Sequence, residues 1–135
     1  MKVIARAFRV AVVLWAGSLW SLLWVAAALF YFLSDRQVAG IIAGRLFSIE
    51  TYLGIGVGAL ALLLPNRSRF RLGFLAVALL AVNEWILKRW MNLAQAHGTA
   101  LGLRFGAWHG ISALLYVLAC LCVLVMIYKD EYRHA

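Results

Sequence analysis

The chain has 135 residues, 66% of them hydrophobic and 13% charged, with a mean hydropathy of +0.92. A soluble domain is closer to half apolar, so this balance excludes an ordinary water-soluble fold. The net charge of +8 comes from 13 Lys and Arg against 5 Asp and Glu. The basic residues stand at the ends of apolar runs rather than along one stripe. They therefore suit orientation in a bilayer, and no nucleic-acid partner is expected.

Four segments reach the roughly 20 apolar residues that a membrane-crossing helix needs. The first runs from about residue 8 to 33 and ends in "ALFYFL". Its apolar stretch outlasts the 7–15 residues of a cleaved signal, so it reads as a retained helix. The second spans about 38–64, after the short link "SDRQ". The third follows "PNRSR" and covers about 70–87, or on to 91. The link from Asn92 to Arg104 is longer, contains glycine and has room for a short interfacial helix. The fourth segment covers about 105–128. Alternating barrel strands are absent, and the single proline suits long helices.

The expected fold is all-α: one domain over 1–135, an integral membrane four-helix bundle. Short links make neighbouring helices antiparallel. Lys2, Arg6, Arg9, Arg67, Arg69, Arg71, Lys129 and Arg133 gather on one side, and Arg36, Lys88, Arg89 and Arg104 on the other. The excess places both termini in the cytoplasm of a bacterial inner membrane. Tyr31, Trp90, Trp108 and Tyr128 fall near segment ends, as interfacial aromatics do.

The second segment carries Arg45 and Glu50 into this apolar setting. A charged side chain at a helix centre costs about 2.5–3.5 kcal/mol on insertion scales, so both call for an explanation. Arg45 lies ~10 Å and Glu50 ~18 Å from the outer end of that segment. Five residues apart, they point about 140° away from one another and need separate partners. Glu50 shares a face with Gly54 and Gly58. Gly40 and Gly44 repeat the spacing, and such small residues let helices approach closely.

At matching depth stand Tyr116 on a stripe with His109, Ser112, Ala113 and Cys120, and Ser21 on a stripe with Gly17, Trp24 and Ala28. A Glu50–Tyr116 hydrogen bond, joined by Ser21, is the expected pairing. In the outer layer, Asn83 and Glu84 stand near Arg45, with Glu84 ~9 Å from its helix end. An Arg45–Glu84 pair is expected there, against a local Glu84–Lys88 pair at i,i+4 or an Arg45 reaching outward to headgroups. His109 belongs to the same layer, while His97 and His134 read as solvated. Trp15, Trp20 and Trp24 read as packing residues. Cys120 and Cys122 point to nearly opposite sides of one helix and read as small core residues.

Nucleotide loops, zinc-protease and paired-cysteine motifs are absent from the sequence. The stretches "LFYFLSDRQVAGIIAGRLFSIETYLG", "VNEWILKRWM" and "FGAWHGISALLY" resemble bacterial relatives of the transmembrane protein 205 family, four-helix membrane proteins of unknown function. The resemblance runs from about Trp15 to Tyr116. It rests on Trp15, Gly17, Phe30, Ala39, Gly40, Arg45, Phe47, Asn83, His109, Gly110 and Ser112. Relatives often carry prolines where this chain has Ala27-Ala28 and near Lys88, so the kinks those prolines make are not carried over. Animal members are associated with platinum-drug resistance, which implies export or metal handling. A looser similarity, through Trp15-Ala16-Gly17 and the helix count, links the chain to CopD-like copper-resistance proteins and HemJ-type protoporphyrinogen oxidases. It implies a haem or copper cofactor with His109 as a ligand, although the first helix has no histidine.

Three readings follow. The first is a protein that binds or passes a small solute, metal or proton through an interior of Arg45, Glu50 and His109, helped by homodimerisation through a glycine face. The second is a haem- or porphyrin-linked redox enzyme. The third is an accessory subunit whose polar residues only fix packing.

Overall fold

The computed structural model describes residues 2–132. Arg133 and His134 lie outside the described residues. The described chain is helical almost throughout. Helix α1 covers Lys2–Phe32 and α2 covers Arg36–Leu62. A 3-10 turn, Arg67–Phe70, leads into α3 (Arg71–Val82). A π-helical turn, Asn83–Leu87, joins α3 to α4 (Lys88–His97), and α5 covers Phe105–Tyr132. Among the described residues, four helical rods are long and apolar enough to cross a membrane: Val3–Phe32, Arg36–Leu62, Arg67–His97 and Phe105–Lys129.

Local chemistry sets the breaks. Asp35 caps α2, its carboxylate accepting from the backbone N–H groups of Gln37 at 2.9 Å and Val38 at 3.2 Å. These are two of the orphan donors that every helix start exposes. Gly98, at φ 85°, ends α4 in a conformation that other residues rarely adopt. A tight turn follows, in which Ala100 and Leu103 exchange backbone hydrogen bonds around Leu101 and Gly102, both at positive φ. The Trp108 indole N–H donates to Ala100 O at 2.9 Å and locks this turn onto α5.

The third rod is longer than the sequence expectation of an end near 87–91. The stretch "KRWMNLAQAH" is polar, and so falls outside an apolar run, yet it is rich in good helix formers. Its one apolar face, with Ala94, packs with Leu87 on Ala100 and Trp108. The Trp90 and Trp108 rings stack there, 6.1 Å apart. The extension moves the depth of everything before it: Glu84 stands ~20 Å from the end of its rod, not ~9 Å.

α1 packs on α2, α2 on α3, α3 on α5 and α5 on α1, so the rods form a closed ring of neighbours. The core is built from Trp15, Leu19 and Leu22 of α1, Leu80 of α3, and Tyr116, Cys120 and Val123 of α5. Contacts between α1 and α2 run in opposite sequence directions: Phe30 reaches Gly40, Ser18 reaches Glu50 and Trp15 reaches Gly54. Gly54 admits the Trp15 ring, since a Cβ there would lie 2.7 Å from Trp15 Cζ2.

The interior face of α1 is not the small-residue stripe expected from sequence. Gly17, Ser21, Trp24 and Ala28 are exposed, and Val12, Trp15, Leu19 and Leu22 are buried. Close side-chain packing holds the buried face of α1 inward. Trp15, Leu19 and Leu22 supply it; glycine and serine do not.

Candidate functional site: a polar layer at mid-span

Polar side chains from all four rods meet near the middle of their spans. The midpoint of Arg36–Leu62 is Ile49, flanked by Ser48 and Glu50. Ser18 lies at the middle of the first span, and Asn83 and Glu84 near the middle of the third. Ser112 and Tyr116 lie just to one side of the centre of the fourth. These side chains make three separate contacts.

The first joins α1 to α2. The Ser18 hydroxyl lies 3.0 Å from Glu50 Oε2 and 2.8 Å from the carbonyl of Trp15. Glu50 is 7% exposed, and Ser18 is its hydrogen-bond partner. A serine hydroxyl has one hydrogen and two acceptor sites. With Glu50 ionised, that hydrogen goes to the carboxylate. With Glu50 protonated, the acid donates to Ser18 Oγ, and Ser18 donates to Trp15 O. One fixed geometry serves both protonation states. Beside it, buried Thr51 donates to Phe47 O at 3.0 Å.

The second contact joins α2 to the π-turn. Lys88 Nζ lies 3.0 Å from Glu84 Oε1 and 2.8 Å from Ser48 Oγ, and the Ser48 hydroxyl lies 2.8 Å from the same carboxylate oxygen. The Lys88 side chain is 40% exposed and that of Glu84 14%. The charges therefore neutralise each other while the ammonium keeps a route outward. The π-turn lies at this point, its closing bond running from Lys88 N to Asn83 O. Such turns are rare and concentrate at functional sites.

The third contact joins the π-turn to α5. The Ser112 hydroxyl donates to Asn83 Oδ1, and Asn83 Nδ2 donates to Ser112 O at 3.3 Å. The four-atom exchange ties the irregular turn to a regular helix. Tyr116 then crosses the core. Its hydroxyl donates to Leu19 O at 2.8 Å, and its ring meets Phe47 edge-on at 4.7 Å.

Several expected contacts are replaced. Glu50 takes Ser18, not Tyr116 or Ser21: Tyr116 spends its hydrogen on the α1 backbone, and Ser21 is exposed on the far side of α1. Glu84 pairs with Lys88 and Ser48, and Arg45 is exposed on the outer face of α2 with no ion pair to Glu84. The i,i+4 geometry brings Lys88 to Glu84 within one helix. His109 is also exposed, stacked on Phe105 at 5.9 Å. Trp108 takes the inward position beside it, because its indole finds both an apolar wall and the Ala100 acceptor. Ala113, on the same expected stripe, turns outward with His109.

Of the glycines, Gly54 and Gly58 are buried at helix contacts. Gly40 is exposed with only Phe30 nearby, and Gly44 has open space beside it. His97 and His109 are exposed, and among the described residues no three His, Cys, Asp or Glu side chains are grouped to hold a metal ion.

Ser18 and Ser48 are the residues that sequence reasoning missed, and a signal for Ser18 existed. Ser18 stands fourteen residues before the end of α1 at Phe32, and Glu50 fourteen after the start of α2 at Arg36. Counting outward from the short link places the two side by side.

Set against protein-family models, curated proteins and solved structures, the chain finds no match.

Proposed function

We propose that this is a small multi-pass protein of a bacterial inner membrane, an antiparallel four-helix bundle with both termini cytoplasmic. The four long apolar rods and the opposed contact order of α1 and α2 support the bundle. The excess of Lys and Arg at one end supports the orientation. The motif residues quoted above support kinship with the transmembrane protein 205 relatives.

Its function on this reading is to bind and pass a proton through Glu50, within the broader class of small-solute or ion passage. One observation carries it: a mid-span carboxyl, 7% exposed, faces a hydroxyl that accommodates its charged and neutral forms without moving. An intramembrane carboxyl set against protein rather than lipid is the usual element of a proton relay. The step balances simply: the carboxylate takes one proton from one side and returns it to the other, with Ser18 reversing its donor role. Glu84, compensated by Lys88 and Ser48, is the fixed structural charge of the layer, and Asn83–Ser112 holds the π-turn beside it.

The experiment is proton flux in sealed vesicles with an imposed pH gradient. The wild-type protein should collapse the gradient faster than empty vesicles. Glu50→Gln, which keeps the shape, should return the rate to that of empty vesicles. Equal rates for the wild type and Glu50→Gln would reject the assignment.

A further inference from the structure

The outward face of α2 carries a groove of ≈ 450 Å³, lined by Ile49, Tyr52, Leu53, Gly56, Val57 and Leu60. Its lining is almost wholly apolar, and Gly56 forms its floor, with nothing within 4 Å of a Cβ placed there. One wall is fixed by Tyr52, whose ring meets Trp85 of the π-turn edge-on at 6.2 Å. From Ile49 at the middle of the span to Leu60, the groove is ~16 Å long by helical rise. That is close to half the ~30 Å thickness of a bilayer's hydrocarbon core, the depth of one leaflet. The groove therefore starts at the midplane and ends at one membrane surface, where the chain turns through Arg67–Phe70. There Arg67 and Arg71 are exposed, with Arg69 beside them.

We infer that this face holds one anionic phospholipid of the leaflet on the Arg67–Arg71 side. One acyl chain lies in the groove over Gly56, and the phosphate sits against the guanidinium groups of Arg67 and Arg71. Guanidinium forks match phosphate oxygens in pairs, and basic residues at a membrane surface favour anionic lipid. The inference uses the membrane-spanning reading but not the chemistry of Glu50. A second copy of the chain is the competing occupant. It would place two Arg67–Arg71 clusters near each other, which counts against it.

The test is lipid retention by the full chain extracted in mild detergent from membranes containing equal phosphatidylglycerol and phosphatidylcholine, read by native mass spectrometry. The wild type should keep about one phosphatidylglycerol in preference to phosphatidylcholine. Arg67→Gln and Arg71→Gln should each lower that preference about fivefold. Gly56→Leu, whose Cβ enters open space, fills the groove and should abolish retention while the arginines remain. General attraction of anionic lipid to a basic surface would survive Gly56→Leu, so unchanged retention in that variant overturns the inference. Displacement of the lipid by soluble glycerol phosphate, or a dimer cross-linked through position 56, would also overturn it.

Discussion

Ser18 and Glu50 stand at equal depth on facing helices, and the Ser18 hydroxyl lies 3.0 Å from Glu50 Oε2. That contact explains how a carboxyl is tolerated at the centre of an apolar rod. The carboxyl is turned towards α1 and buried, and it has a hydrogen-bond partner in either protonation state. Hydrogen bonds between membrane helices average about 0.6 kcal/mol and reach about 1.7. Ser18→Ala should therefore cost about 1 kcal/mol in reversible unfolding in bicelles. The same change in a Glu50→Leu background should cost much less. Equal costs in both backgrounds would mean the two side chains are not coupled.

Gly54 and Gly56 offer a sharper contrast, two residues apart on one helix. A methyl at Gly54 meets the Trp15 ring at 2.7 Å, whereas Gly56 has open space. Gly54→Ala should destabilise by about 1–3 kcal/mol, the range for overpacking. Gly56→Ala should be neutral or stabilise by up to about 1 kcal/mol through helix propensity. Bicelle unfolding of the two variants side by side reads this directly, and Trp15→Phe, with its smaller ring, should relieve part of the Gly54→Ala penalty.

Removing the Lys88 ammonium strands the Glu84 carboxylate in a largely enclosed place. Fully buried pairs cost about 3–5 kcal/mol to break and exposed pairs about 0.2–1. With Lys88 partly open to the outside, Lys88→Met should fall between those ranges. Adding Glu84→Gln should recover much of the loss, because it removes the stranded charge while Ser48 keeps an acceptor. A double variant less stable than Lys88→Met alone would contradict the pairing.

His109 and Arg45 should matter little for folding. Both are exposed, and substitutions at such positions usually change stability within about 0.5 kcal/mol. His109→Ala and Arg45→Gln should unfold at wild-type detergent concentrations. His109→Ala should also keep wild-type proton flux, since it lies outside the Ser18–Glu50 contact.

Much of the helical layout was legible because apolar run length alone marks a spanning helix. The register within the bundle was less so. Arg45 and Glu50 were visible as anomalies, but the partner of each depended on helix rotation, which periodicity fixes poorly when a helix is apolar all round. α5 shows this: His109 and Trp108 are neighbours, and the apolar wall together with the acceptor at Ala100, eight residues before Trp108, decides which turns inward. The depth of Glu84 was hidden for another reason. Its rod continues through the polar residues Lys88–His97, held by packing on Trp108 that no local pattern announces. The π-turn at Asn83–Leu87 has no sequence signature at all, being set by the Asn83–Ser112 exchange and the Lys88–Glu84 pair around it.

On the proposed function, Glu50 exchanges a proton at mid-span. Infrared spectroscopy of the protein in lipid, recorded as pH is stepped, tests it most directly. The expected result is a carbonyl band of a protonated carboxylic acid that grows and fades with pH, shifts in Ser18→Ala and is missing in Glu50→Gln. A band that ignores pH across the range where the protein stays folded, or one that persists in Glu50→Gln, would contradict it.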